Sequence, residues 1–520
     1  MSTAKKFAGQ TFIYGVSTIA SRVLTFFMTP FYTRAYALGA NGIITTMYSY
    51  VSMTNALLTF GMETTFFRYL NKHADNKQKV YNNAFASVAA VTVLFLLFTL
   101  PFIGHIASFI DIDHTKKASH GPAVLGSTYA DFLKYTYLFL AIVVIDAWCA
   151  IPFVKLRADG KPGRYGAIKL ASVLIFVAFN MLFMYVLPFW LRHHFIGTEW
   201  INSWYVPKWV GYVFISELLS SIVTLLLLLP ELSKIRFEFD KAMLLSMYTY
   251  SWPVLIANLS YLVNENMDKI LLGKILTVNV ARDVAIYGAC AKIAVFLSVF
   301  INAFRLGAEP FFFNQSKNKN AGQTYARIMD YFVIAVCIIF VGLIANIEIV
   351  KYWVPPAYWV GLRVVPPLLF GYVSLGIYMN LSIWYKLSDQ TKYGLYISGA
   401  GAILTIVLNV LFIPKYSYMA SAWTSLIAYT VMMILSFVWG QKNYPIPYNV
   451  KKNLAYIISA IVVVYFITQI NGNYHIAAHV NSKAKFVIDK GFLISDALLL
   501  GYVLVAFYFE QANLKAIFKR

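Results

Sequence analysis
Apolar stretches about as long as a membrane-crossing helix, separated by short polar segments, recur from one end of the chain to the other. A bilayer core needs about 20 mostly apolar residues per helix. Windows of that kind fall at 11–34, 42–66, 81–104, 134–155, 166–190, 209–230, 247–273, 284–308, 329–352, 362–385, 394–413, 418–440, 454–471 and 491–510. The runs are too long for strands and lack the period-two alternation of a barrel. The pattern predicts an all-α, polytopic membrane protein with about fourteen transmembrane helices.

Composition agrees. Of 520 residues, 60% are hydrophobic and 12% charged, against about 45–50% and about 25% in soluble proteins. The three cysteines, Cys149, Cys290 and Cys337, sit in apolar runs, which excludes a disulfide framework and a zinc finger. The first run is too long for a signal peptide and lacks a small-residue cleavage site, so the N-terminus is expected to be retained.

The net charge of +21 would suggest nucleic-acid binding in a soluble chain. Here the cations follow topology instead. With the N-terminus inside, about 25 of them, from Lys5 and Lys6 through Lys155, Arg157, Lys161 and Arg164 to Lys519 and Arg520, fall in cytoplasmic segments. The positive-inside rule then fits an even number of spans with both termini cytoplasmic, and no nucleic acid is needed. The longest external segments, 105–133, 191–208 and 472–490, are too short for a catalytic domain. They hold seven of the eight histidines, including the His193–His194 pair, which is read as part of a solvated loop. No HExxH, Walker A or dinucleotide glycine motif is present. The expectation is a transporter without a cofactor, not an enzyme. The Asp111-Ile112-Asp113 triplet keeps a membrane glycosyltransferase or polymerase as an alternative.

An internal repeat organises the spans. Gly61-Met62-Glu63-Thr64-Thr65-Phe66-Phe67 and Gly307-Ala308-Glu309-Pro310-Phe311-Phe312-Phe313 both read G-x-E-x-x-F-F, at an offset of 246 that lays spans one and two on spans seven and eight. Six spans per unit gives two units of the same orientation, with substrate between them near the midplane. The expected lobes are 1–240 and 241–445, two pseudo-symmetric six-helix units, with two additional helices and a tail at 446–520.

Charges inside the spans need a reason, since each costs about 2.5–3.5 kcal/mol on insertion scales. Arg22 lies near the middle of span one, on a stripe with Thr11, Gly15, Thr18 and Thr29; Asp146 is central in span four and Glu217 in span six. Span seven carries Asn258, Tyr261, Glu265 and Asp268 at i, i+3, i+7 and i+10, one helical face. Span eight carries Lys292 and Arg305, about 140° apart around a straight helix. One reading is a hydrated cavity in which Arg22, with Lys292 or Arg305, binds an anionic group, while Asp146, Asn258, Tyr261, Glu265 and Asp268 hold a coupling cation such as H+ or Na+ or shape the field. The other is a set of structural pairs, such as Arg22 with Asp146.

Three stretches carry a resemblance. They are Tyr14-Gly15 through Ser21-Arg22-Val23-Leu24 to Pro30-Phe31-Tyr32-Thr33-Arg34; Ile151-Pro152 with Leu156-Arg157-Ala158-Asp159-Gly160-Lys161 and Tyr165; and Trp252-Pro253, Asp268-Lys269-Ile270-Leu271-Leu272-Gly273 and Ala285-Ile286-Tyr287-Gly288. Their order and spacing resemble the polysaccharide-transporter branch of the multidrug/oligosaccharidyl-lipid/polysaccharide (MOP) exporter superfamily, the Wzx-type O-antigen and capsule flippases. The resemblance implies two lobes facing a cavity and alternating access. It also implies movement of an undecaprenyl-diphosphate-linked oligosaccharide from the cytoplasmic to the periplasmic leaflet of a bacterial inner membrane. Membrane lipids, a polysaccharide polymerase and glycosyltransferases are the implied partners. Arg22 matches a cationic cavity position of that family. The third motif commonly reads Asp-Arg, and Asp268-Lys269 keeps the charge without the bidentate fork. A MurJ-like lipid II flippase and a cation-coupled multidrug exporter are the alternatives.

Overall fold
A computed structural model describes residues 20, 23–112, 127–236, 238, 240–316, 318, 320–388, 390–470 and 490–518. Among them every long element is a helix: α1 (Thr29–Ala35), α2 (Leu38–Thr59), α3 (Met62–Lys72), α4 (Lys77–Thr99), α5 (Tyr129–Ala158), α6 (Pro162–Met181), α7 (Gly211–Leu227), α8 (Lys241–Ile275), α9 (Val280–Gln315), α10 (Ala321–Ala345), α11 (Val365–Leu381), α12 (Lys392–Tyr416), α13 (Tyr418–Asn443), α14 (Val450–Ile470) and α15 (Lys490–Phe518). Each expected window from 42–66 onward overlies one of these helices. Ten helical segments among the described residues are long and apolar enough to cross a membrane. α7 is apolar but shorter, α2 and α8 are long but more polar, and most of window 11–34 lies outside the described residues. The architecture is all-α and the chain is a multi-pass membrane protein.

The surface shows which solvent the fold is built for. Phe98 is 72% exposed, Leu97 65%, Leu504 66% and Tyr508 68%. Large apolar side chains turned outward along whole helices suit hydrocarbon, which adds no penalty for apolar surface and cannot satisfy an open backbone group.

The chain divides into two compact units, Met1–Ala285 and Ile286–Arg520. In the first, α7 packs on α5 and α6, while α2 packs on α5 and α8. Local chemistry sets the ends. Thr128 and Asp131 form a reciprocal capping box at the start of α5, satisfying two otherwise orphaned donors. Asp240 caps α8 through the Met243 N–H at 3.0 Å. Phe60 and Gly61 both take left-handed backbone between α2 and α3, with φ of 49° and 67°; a Cβ on Gly61 would meet the Ser251 carbonyl at 2.9 Å. Gly307, its partner in the repeated motif, lies inside the continuous helix α9, so the two copies differ in local conformation. Glu63 of the first copy pairs with Arg157 at 3.2 Å.

In the second unit α11 packs on α13 and on α10, α12 packs on α13, and α10 also receives α14 and α15. An aromatic knot around Trp384, Tyr385, Tyr393 and Tyr429 holds the centre, with the Trp384 indole N–H donating to the Ser436 carbonyl at 3.0 Å. Lys452 of α14 reaches Asp330 of α10 at 3.5 Å and Glu510 of α15 at 2.7 Å. The Tyr456 hydroxyl also donates to Glu510, at 3.2 Å. These charges fasten the last two helices to the unit.

Gly42 on α2 crosses the start of α9 so closely that a Cβ there would lie 2.1 Å from the Ala281 carbonyl oxygen. The backbone cannot give way as a side chain would, so Gly42→Val is expected to lower stability by about 1–3 kcal/mol. Gly399 in α12 has nothing within 4 Å of its added Cβ, and Gly399→Ala should leave stability unchanged or slightly raised. Thermal midpoints of the two purified variants in detergent check the contrast.

Candidate functional site: a polar cluster inside the first unit
The half-buried Asp146 is held by two other helices. Its Oδ1 accepts from the Ser221 hydroxyl of α7 at 2.6 Å, and its Oδ2 from the Asn55 amide of α2 at 3.4 Å. One turn before Ser221 on the same helix, Glu217 accepts from the Tyr48 hydroxyl of α2 at 3.3 Å. Tyr48 and Asn55 are two turns apart, so one face of α2 serves both carboxylates. Lys169 of α6 acts electrostatically on both. Beside them the Tyr32 hydroxyl donates to Asn180 at 3.1 Å, and the Ser172 and Ser220 hydroxyls meet at 3.0 Å between α6 and α7.

This arrangement offers two carboxylates, hydroxyls and amide oxygens at membrane depth. Hard cations and protons are held by oxygen donors of this kind. Intramembrane acids that face protein rather than lipid mark ion or proton routes. Both carboxyl side chains are half-buried, so each keeps part of its surface open.

The sequence candidates distribute unevenly. Asp146 is in the cluster. Glu217 is central in its span but stands outside the residues the cavity reading names, and Tyr48, Asn55 and Ser221 carry no charge that marks them in the sequence. The signal was the i, i+7 spacing of Tyr48 and Asn55 and the i, i+4 spacing of Glu217 and Ser221. On α8, Asn258 is exposed, Tyr261 and Glu265 are half-buried and Asp268 is buried. Asp268 Oδ1 accepts from the Lys269 N–H at 2.8 Å and from its ammonium at 3.0 Å. That ammonium also donates to the Glu265 carbonyl at 2.7 Å. Lys269 is therefore engaged along its own helix.

Arg22 lies outside the described residues. Lys292 and Arg305 are both half-buried on α9. Arg305 lines a small cavity in the second unit, about 10 Å³, with Lys386 and Asn380, room for roughly one water. The Asn380 amide nitrogen is buried there without a hydrogen-bond partner. Lys292 does not line it. Two cations and a spare amide donor form an anion-favouring set. Asp111 of the Asp-Ile-Asp triplet is 2% exposed and is not presented to solvent as a catalytic acid would be; Asp113 lies outside the described residues.

No family model matches the chain. An uncharacterised membrane protein of Methanocaldococcus jannaschii is 21% identical over 421 residues, 76% of each chain. Among solved structures, the lipid II flippase MurJ in an inward closed conformation matches with a TM-score of 0.69 and 13% identity over 97% of this chain and 100% of that one. An inward-facing multidrug resistance transporter of the MATE family, of the MOP superfamily, matches at 0.60 with 14% identity over 81% of this chain and 94% of that one. A MATE structure in the straight conformation matches at 0.58 with 13% identity over 84% and 95%. The chain has the fold of these transporters.

Removing the shortest bond to Asp146 leaves a carboxylate oxygen short of a donor. Ser221→Ala is expected to cost about 1–3 kcal/mol, whereas Ser203→Ala, in an exposed segment where the hydroxyl bonds only the Trp200 carbonyl, should change little. Thermal unfolding of both variants in the same detergent measures the difference.

Proposed function
We propose that the chain is a lipid-linked oligosaccharide flippase. It takes an undecaprenyl-diphosphate-linked glycan from the cytoplasmic leaflet of a bacterial inner membrane and delivers it to the outer leaflet by alternating access. The coverage of the structural matches carries this reading. The flippase fold accounts for 97% of the chain, while the multidrug transporters account for 81% and 84%. This chain therefore has more to place than those transporters cover, and the two helices of 446–520 suit that difference. The repeat lobes we assign are 1–240 and 241–445, with 446–520 as the added pair, although α8 packs within the first compact unit; both termini are cytoplasmic. A MurJ-like lipid II flippase is the second reading, favoured by the same full-length match.

The chemistry follows from the charges. A diphosphate needs cationic donors where water is scarce, and Arg22, Lys292 and Arg305 are the assigned cations, with Lys386 and Asn380 beside Arg305. Asp146 and Glu217, with the α8 stripe of Asn258, Tyr261, Glu265 and Asp268, take the coupling cation, H+ or Na+. No cofactor is required. A polysaccharide polymerase and glycosyltransferases would act on the same substrate before and after transport.

Deleting the gene should leave lipid-linked oligosaccharide on the cytoplasmic leaflet; normal glycan export, with no second transporter present, sinks the proposal. In the deletion strain, Arg305→Ala and Asp146→Asn should each lower export at least tenfold at normal membrane abundance. An unchanged rate removes the residue from the site. All three native cysteines are buried, so a single added thiol reports topology. Lys208→Cys in whole cells should react with a membrane-impermeant maleimide, and protection until lysis would reverse the proposed orientation.

A further inference from the structure
A second site stands apart from the Asp146 cluster. In the first unit, the end of α1, the segment 182–192 and the link into α7 enclose an open cleft of about 650 Å³. Arg34, Arg192 and Lys208 line it, and among the described residues no aspartate or glutamate does. All three cations are exposed. Three positive charges on one cleft attract a ligand with at least two negative charges.

The other wall is aromatic and fixed in place. Phe183, Tyr212 and Tyr205 form a column, with Phe183 and Tyr212 centroids 4.5 Å apart at 12° and Tyr205 and Tyr212 5.2 Å apart at 13°. Hydrogen bonds lock the column. The Tyr205 hydroxyl donates to the Phe183 carbonyl at 2.7 Å, and the Tyr212 hydroxyl accepts from the Val206 N–H at 2.9 Å. Tyr205 and Tyr212 are themselves buried and serve as backing, and the rings that present surface to the cleft are Tyr185, 41% exposed, and Phe189, 55% exposed.

Two backbone features sit on the same wall. Residues Leu182–Val186 form a π-helical turn, a wound-out geometry found often at functional sites. Lys208 takes left-handed backbone, φ 60°, a conformation uncommon outside glycine. Such strain persists where the surroundings impose it and gathers at ligand clamps.

Flat rings take the apolar face of a sugar, and guanidinium and ammonium groups take phosphate oxygens. We propose that this cleft binds a phosphorylated saccharide, a sugar carrying a phosphate or diphosphate. Such a group reaches the cleft either on a lipid carrier or free in water. Under the proposed topology the cleft opens outside, where it would hold the headgroup of a delivered substrate; that placement rests on the flippase reading, and the binding itself does not.

The test uses the full chain purified in detergent and titrated calorimetrically. The probes are N-acetylglucosamine 1-phosphate, farnesyl-diphosphate-linked N-acetylglucosamine, inorganic pyrophosphate and neutral N-acetylglucosamine. Both phosphorylated sugars should bind at least tenfold more tightly than pyrophosphate or the neutral sugar. Tighter binding of the farnesyl-linked probe identifies a lipid-borne source, and equal binding a free one. The double variant Arg192→Ala/Lys208→Ala should weaken both phosphorylated sugars at least tenfold, and Tyr185→Ala should weaken them without changing pyrophosphate. Folding is checked by an unchanged thermal midpoint. Equal binding of pyrophosphate and the sugars, or wild-type affinity in the double variant, overturns the proposal. Intact cleft binding in a chain whose deletion leaves export normal overturns the flippase reading alone.

Discussion
Hydrocarbon offers no hydrogen bonds, so every polar group at membrane depth must find its partner in the protein. This constraint decides the secondary structure, because helices satisfy their backbone internally. It then decides the packing. The first unit gathers its intramembrane carboxylates onto hydroxyls and amides from neighbouring helices: Asp146 onto Ser221 and Asn55, Glu217 onto Tyr48. In the second unit the polar pairing lies at span ends, with Lys452 between Asp330 and Glu510. Without a hydrophobic drive in lipid, close apolar packing and these polar contacts together select one helix arrangement.

Helix positions were legible along the chain because each window is a purely local property. The windows from 42–66 to 491–510 each overlie a helix, and their ends follow local signals such as the Thr128–Asp131 capping box. Asp146 and Glu217 could be singled out as charges in apolar surroundings. Their partners could not. Ser221, Asn55 and Tyr48 are ordinary residues in sequence and gain meaning only when α2, α5 and α7 come together. Asp268 adds a detail that stripe position does not carry: on a stripe read as cavity-facing, its carboxylate also accepts from Lys269 next to it. Stripe position fixes a direction for the Cα–Cβ bond and leaves the last two torsions to local hydrogen bonding.

The repeat is instructive in the same way. The pattern G-x-E-x-x-F-F occurs twice, but Gly61 uses its left-handed freedom to break between α2 and α3, while Gly307 continues α9. Similar letters therefore report common spacing along the chain without requiring a common turn. Gly42, in contrast, is required by its neighbour: the Ala281 carbonyl occupies the space of a side chain.

The Lys452 cluster also has a temporal meaning. The chain is made from the N-terminus, so Asp330 enters the membrane first, the ammonium of Lys452 about 120 residues later, and Glu510 last. Until Lys452 arrives, the Asp330 carboxylate lacks its cation. Once Lys452 is in place, the pair carries no net charge, and Glu510 joins as a surplus acid supported by the Tyr456 hydroxyl. Satisfaction of charge thus runs in the order of synthesis. The final helix closes on an already neutral pair, and a chain that stopped short of it would still leave Asp330 with its cation.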